Sequence, residues 1–200
     1  MKKKAIFGGT FNPIHNAHLK IALRSLEELK LDEVIFMPSG NPPHKNEKQI
    51  APANLRYEMV REAIKDNCKF KIDDYEIKRE GFSYTYKTLE HFSYVEKDVE
   101  WFFIAGLDSL MDLEKWKNVN IILNLCKFIV FNRSGYDKEQ IAKQKKMLER
   151  KYNNSIVFLD IEPIDISSTI IRHKIRRNEY IGDLVPEKIY DIIKKNKLYV

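Results

Sequence analysis

Hydrophobic residues recur along this chain with a period that switches between two and about 3.6, and each switch marks a predicted element. Lys4–Phe7 predicts a short strand, and Leu19, Ala22, Leu23, Leu26 and Leu29 share one face of a helix over His18–Leu29. Glu33–Met37 predicts a second strand, closed by Pro38. Leu55, Met59, Val60 and Ala63 line one side of a helix over Asn54–Ile64. Phe70–Ile77 reads as extended until Gly81 breaks it, and Ser83 stands at an N-cap position ahead of a helix reaching about Tyr94. The apolar stretch Trp101-Phe102-Phe103-Ile104 predicts a buried strand over Val99–Ala105, ending at Gly106. Further on come a short helix at Val119–Leu125, a strand at Phe128–Phe131, a polar helix at Asp137–Tyr152 and a strand at Ile156–Leu159. Two helices follow, from about Ser168 and from Pro186, a favourable first-turn proline.

Strands that alternate with helices predict an α/β fold, a doubly wound, mostly parallel sheet with helices on both faces. The expectation is a single domain over residues 1–200, in which about 165–200 form a small helical C-terminal part. Sheets of this kind bind ligands beyond the carboxyl ends of their strands, where the strand order reverses. The unusual residues of this chain fall just after predicted strands, where that rule wants them.

Composition adds a little. Hydrophobic residues make up 44% and charged residues 32%, enough for a core and a solvated surface. The net charge of +6 and a pI near 9.1 suit nucleic acid, an acidic membrane or small phosphorylated substrates. Lys143, Lys145, Lys146, Arg150 and Lys151 are flanked by Glu139 and Glu149, the pattern of a solvated helix face. Cys68 and Cys126 show no metal-ligand spacing and are expected to be buried thiols in a reducing compartment. The basic start Met1-Lys2-Lys3-Lys4 imitates a secretory leader, but Ala5-Ile6-Phe7 runs at once into Gly8-Gly9, too short for its apolar region. No stretch reaches membrane-spanning length. A cytoplasmic location is expected.

The candidate chemistry begins where the first strand meets Gly8-Gly9-Thr10-Phe11-Asn12-Pro13. Glycines there let the backbone approach a ligand, and exposed amides can cradle phosphate. Neither GxGxxG nor GxxxxGK[ST] is present. His15 and His18, three apart at the start of the first helix, share a face and sit where a helix dipole favours anions by up to about 2 kcal/mol. A shared metal is the rival reading, but no carboxylate or cysteine stands near in sequence to complete that site. Ser167, Ser168 and Thr169 open another helix with hydroxyls and free amides, and Arg172 adds a two-pronged donor. Simple capping accounts for these residues as well. Asp108, after the buried strand, fits ribose binding or a helix N-cap, and Trp116 fits either a flat heterocycle or the core. Lys45 projects from a Pro-rich loop toward phosphates, or is a surface lysine; His44 beside it is equally ambiguous, and Asn41 binds ligand or shapes the turn.

The opening Gly8-Gly9-Thr10-Phe11-Asn12-Pro13 with His15-Asn16-Ala17-His18 resembles the nucleotidyltransferase superfamily, whose mark is HxGH. Its second mark, ISSTxIR, is matched by Ile166-Ser167-Ser168-Thr169-Ile170-Ile171-Arg172. Over nearly the full chain the resemblance narrows to the nicotinate-nucleotide adenylyltransferase family. It is carried there by Pro38-Ser39-Gly40-Asn41-Pro42-Pro43-His44-Lys45, by Ser83-Tyr84-Thr85, and by Gly106-Leu107-Asp108-Ser109-Leu110 with Trp116. Two departures stand out. Ala17 replaces the usual Gly, a methyl that would crowd the ATP ribose or adenine, and Leu107 replaces the family's Ala.

The resemblance implies a Rossmann-like nucleotidyltransferase that joins nicotinate mononucleotide to the AMP part of ATP and releases pyrophosphate. It implies His15 and His18 at the transferring phosphorus, and Gly8, Gly9, Thr10, Phe11, Lys45, Gly106, Asp108, Ser167, Ser168, Thr169 and Arg172 around ATP. Asn41, His44, Thr85, Trp116 and Arg133 would hold the mononucleotide, with Trp116 stacked on the pyridine ring and Thr85 on its carboxylate. Mg2+ would ride mainly on the ATP phosphates, with no protein metal site. Small-molecule substrates are thus the expected partners, not nucleic acid or membrane, and a homo-oligomer stays open. Pantetheine-phosphate adenylyltransferase, which shares the fold and first motif, usually has Thr at the position of His15 and lacks the Trp116 segment. Nicotinamide mononucleotide is poorly separated from nicotinate mononucleotide as substrate.

Overall fold

The apolar runs pair edge to edge as parallel strands. A computed structural model describes residues 1–42, 50–131, 137–159, 161 and 165–200. Among these, β1 (Lys2–Gly9), β2 (Glu33–Pro38), β3 (Phe70–Ile72), β4 (Val99–Gly106), β5 (Lys127–Phe131) and β6 (Ile156–Leu159) form one six-stranded sheet in the order β3-β2-β1-β4-β5-β6. Every pairing is parallel, and Ile6 lies between Ile35 on β2 and Phe103 on β4.

Alternation along the strands divides the core in two. Ala5, Phe7, Val34, Phe36, Phe102 and Ile104 face α1 (Asn16–Leu29), α2 (Ala53–Ile64), α8 (Ser168–Arg176) and α9 (Glu187–Lys195). Ile6, Ile35, Met37, Phe103 and Phe128 face α4 (Thr85–Val95), α5 (Leu107–Met111), α6 (Val119–Leu125) and α7 (Lys138–Tyr152). Helices therefore cover both faces, as parallel strands buried on two sides require. The residues of α8 and α9 join the same core as β1 and β2: Ile171, Ile189 and Ile193 pack with Phe11 and Ile14. No helix among the described residues is long and apolar enough to cross a membrane.

Several expectations need correction. Phe70–Ile77 is not extended throughout: β3 stops at Ile72, and α3 (Tyr75–Lys78) follows. The cause is local, because the Asp73 carboxylate accepts the Tyr75 N–H at 2.8 Å and turns the chain. Ser83 is not the cap of α4; Tyr84 holds that position, and the Ser83 hydroxyl accepts the N–H groups of Gly40 and Asn41 at 3.0 and 3.2 Å. Pro186 is the N-cap of α9 and not its first residue. Cys68 is exposed, since it lies in the turn between α2 and β3, whereas Cys126 is buried. The lysine-rich stretch of α7 is largely solvated, with Leu148 its fully buried side chain.

Candidate active site

From β1 the sheet runs one way to β2 and β3 and the other way to β4, β5 and β6. Loops leaving the carboxyl ends of β1 and β4 diverge at that reversal and open a crevice. A cavity of about 400 Å3 lies there, lined by Gly8, Gly9, Thr10, Phe11, His15, His18, Gly106, Asp108, Thr85, Trp116, Ser167, Ser168, Thr169 and Arg172 among others. The floor is tight: a methyl group on Gly8 would come within 2.8 Å of the Phe103 ring.

The loop after β1 is bent by Phe11, a non-glycine residue at φ 47°, which costs about 1–3 kcal/mol unless its surroundings hold it. Its buried ring is held edge-on by Phe7 at 5.6 Å and packs on Phe36 at 5.8 Å. Phe7 and Phe11 in turn grip the His18 ring, at 5.7 and 5.1 Å. His15 caps α1 with extended backbone and its buried ring stacks on His18 at 3.7 Å. The His18 Nδ1 accepts the His15 backbone N–H at 3.3 Å. An accepting Nδ1 carries no proton, so the neutral His18 ring donates from Nε2.

The carbonyls of this loop are drawn onto protein donors. Arg172 donates to the Asn12 carbonyl at 2.9 Å, Ser168 to that of Pro13 at 2.9 Å, and Arg56 to that of Thr10 at 2.8 Å. A carbonyl oxygen aimed at a polyphosphate would repel it, so engaging these acceptors makes the loop compatible with an anion. Ser167 caps α8 by accepting the Ile170 N–H at 3.2 Å, and Arg172 also donates to the Thr169 hydroxyl at 3.3 Å. Capping thus accounts for Ser167, while Arg172 is tied to the loop and not loose in solvent. Burial pushes the Arg172 guanidinium pKa below its ordinary value; Tyr199 opposes the shift and the neighbouring Arg176 adds to it.

Beyond β4, Gly106 is the N-cap of α5 and Asp108 lies exposed in its first turn, so Asp108 is not the cap. Trp116 is half-buried, edge-on to Phe103 at 6.1 Å and Phe128 at 6.0 Å. Thr85 is the first residue of α4 and also lines the cavity. Asn41 is not among the lining residues, although Ser39 and Pro42 beside it are. Ala17 is buried in the core at 4% exposure, and its methyl forms no part of the cavity wall. His44, Lys45 and Arg133 lie outside the described residues. Among the described residues no three His, Cys, Asp or Glu side chains group to hold a metal.

Residues 6–174 match the model of the cytidylyltransferase-like family. Over the whole length of both chains, the sequence is 81% identical to a Clostridium acetobutylicum protein described as "probable nicotinate-nucleotide adenylyltransferase". A Clostridium novyi protein of the same description is 57% identical, again over all of both chains. The chain belongs to the nicotinate-nucleotide adenylyltransferase family. Its fold is similar to that of a Plasmodium falciparum nicotinic acid mononucleotide adenylyltransferase complexed with NaAD, with a TM-score of 0.82 at 20% identity, covering 100% of this chain and 98% of that one. The same Plasmodium falciparum enzyme complexed with APC gives a TM-score of 0.80 at 20% identity over 100% and 98% of the two chains.

Two residues of this family member escaped the sequence reading. Arg56 is 1% exposed and donates to three carbonyls: Thr10, Ala51 at 2.9 Å and Gly40 at 3.3 Å. Burial lowers its ordinary value, opposed by Tyr199, whose own buried hydroxyl is raised by burial and pulled down by Arg172 and Arg56. A signal existed: Arg56, Met59, Val60 and Ile64 follow the i, i+3, i+4, i+8 spacing of the buried face of α2. Glu76, 9% exposed on α3, also lines the cavity. No pattern marked it, because its segment reads as extended.

Proposed function

We propose that this cavity transfers the adenylyl group of ATP to nicotinate mononucleotide, giving nicotinate adenine dinucleotide and pyrophosphate in NAD biosynthesis. An oxygen of the mononucleotide's 5′-phosphate attacks the α-phosphorus in line; the bond to the β-phosphate's bridging oxygen breaks, and its electrons leave with pyrophosphate. No covalent enzyme intermediate forms, so alignment and charge neutralisation carry the rate. Holding the two reactants in line is worth about 7–11 kcal/mol.

One observation supports this reading above the others: His15 and His18 share a cavity with Ser167, Ser168, Thr169 and Arg172, although 149 positions separate His18 from Ser167. In this proposal the Nε2–H of His18 donates to the transferring phosphoryl group, and His15 supports it from below. Gly8, Gly9, Thr10 and Phe11 carry the loop beside the triphosphate, with Arg172 and the start of α8 opposite. Gly106 and Asp108 serve the ATP ribose, Trp116 stacks on the pyridine ring, and Thr85 meets its carboxylate. Asn41, His44 and Arg133 on the mononucleotide side, and Lys45 on the phosphates, complete the set. Mg2+ would enter with the ATP substrate and would supply charge neutralisation at its phosphates. The same reading takes residues 1–200 as one catalytic domain, active in the cytoplasm on small molecules, alone or as a homo-oligomer.

The test is a coupled assay with ATP-Mg, offering nicotinate and nicotinamide mononucleotides in parallel. Pyrophosphate release with the acid form, in preference to the amide, is expected. No release with either removes the assignment, and a preference for the amide moves the substrate.

A further inference from the structure

The carboxyl of Glu76 sits at the centre of a set of contacts that none of the roles above uses. Its Oε1 accepts the buried Thr88 hydroxyl of α4 at 2.6 Å, and the Ser83 hydroxyl is near enough to act on the same carboxyl, pulling its pKa down as a hydrogen-bond donor does. Ser83 then accepts two N–H groups from the loop after β2, Gly40 at 3.0 Å and Asn41 at 3.2 Å. The return contact runs from the Ser83 N–H to the Asn41 carbonyl at 2.9 Å. Gly40 is held on its other side as well, because Arg56 takes its carbonyl at 3.3 Å. A methyl group there would strike the Glu76 backbone carbonyl, so loop and helix meet main chain to main chain.

The chemistry of this chain of bonds has a direction. The Ser83 oxygen already accepts two N–H groups, which takes up both of its lone pairs, so only its O–H is left to turn to the Glu76 carboxyl. With its proton so committed, the serine oxygen turns its lone pairs to the two amides. A hydroxyl free to rotate would not hold two donors in one geometry, and the loop carrying Ser39 and Pro42 into the cavity would lose its tie to the start of α4. We infer that Glu76 is a positioning residue for the mononucleotide side of the cavity, acting through Ser83 on the Gly40–Asn41 loop and through Thr88 on the helix that begins at Thr85. Its kinetic consequence rests on the adenylyl-transfer reading; its structural consequence does not.

The experiment uses the full chain with Glu76→Gln and Ser83→Ala, singly and together. Each single variant is expected to raise KM for nicotinate mononucleotide about tenfold, the loss of roughly one buried hydrogen bond, with kcat and the KM for ATP within about twofold. The double variant should fall clearly short of the sum of the two losses, since the route through Ser83 is cut in both and only the route through Thr88 is Glu76's own. Hydrogen exchange at the Gly40 and Asn41 amides should quicken in Glu76→Gln without substrate present. Additive losses, equal rises in KM for both substrates, or unchanged exchange at these amides each overturn the inference. Should Glu76→Gln fail to fold, Thr88→Val takes its place: a smaller rise in the same KM is expected, and unchanged mononucleotide KM in both Thr88→Val and Ser83→Ala overturns it. A wild-type enzyme inactive on the mononucleotide would sink the substrate assignment, while the exchange measurement would still decide Glu76.

Discussion

The two sides of the cavity are braced by buried ionisable groups of opposite kind, a base on one side and an acid on the other. Behind the loop after β1 stands a cation, Arg56, with Arg172 at the flank, and together they take the carbonyls of Thr10 and Asn12. Behind the loop after β2 stands a carboxyl, Glu76, which accepts the hydrogen bond of the Thr88 hydroxyl and draws that of Ser83 toward it. The first arrangement removes acceptors from a wall that faces phosphate in the adenylyl-transfer reading. The second removes hydroxyl donors, leaving the serine oxygen to collect backbone amides. In each case the buried ionisable group decides which polar groups the wall presents, and each is costly to desolvate. Gly40 is where the systems meet, since Ser83 binds its N–H and Arg56 its carbonyl.

The strongest blow to this contrast is Arg56→Ala. Three carbonyls lose their donor at once, and a loss of about 3–5 kcal/mol in urea unfolding is expected. Arg56→Lys should recover little, because a point charge lacks the planar fork. A loss below about 1 kcal/mol would show that the cation is no brace. Next comes His18→Ala, which should keep the fold and cut kcat about 10²- to 10³-fold, the scale for one donor used in the transition state. Near wild-type turnover would remove His18 from the chemistry. Trp116→Ala should raise KM for the mononucleotide about tenfold and for ATP by less than about twofold. Equal changes would deny that the two sides serve different substrates.

The smallest effect is one of pH. Burial pushes the Glu76 carboxyl above the ordinary carboxylate range, against the Thr88 and Ser83 hydroxyls and Arg79, which pull it down. A raised acid favours the protonated folded state. Its contribution to stability is full below the unfolded-state value and is lost as pH rises through the folded-state value. Relative to Glu76→Gln, the wild type should therefore lose stability steadily as pH climbs from about 4 toward neutrality. A constant difference across that span would mean that the carboxyl is not buried at a cost.

Much of this arrangement was legible before any coordinates. The period of the apolar residues located β6 and α6 to the residue, and the buried strand Val99–Ala105 to within one position of β4. Gly8-Gly9 and the histidines pointed to the cavity that they line, because glycine after a buried strand signals close approach. The segment after β3 misled, since Tyr75, Ile77 and Asp73 fit an extended pattern until the Asp73 side chain competes for the backbone. Ser83 misled for a related reason: a hydroxyl ahead of a helix looks like a cap, yet it serves a loop some forty positions away. Cys68 was misplaced because a single apolar-type residue in a turn carries no period.

By itself, then, the order of residues determined the alternation of strands and helices, a mostly parallel sheet, and the residue types that follow its strands. Those properties depend on local periodicity and on turn chemistry, which act over a few positions. Only the tertiary structure decided that Arg56 would hold Thr10, Ala51 and Gly40 together, that α8 would deliver Arg172 to Asn12, and that Glu76 would govern Ser83. The physical reason is that a buried charge must find its partners wherever the fold brings them, and three-dimensional proximity leaves no trace in spacing along the chain.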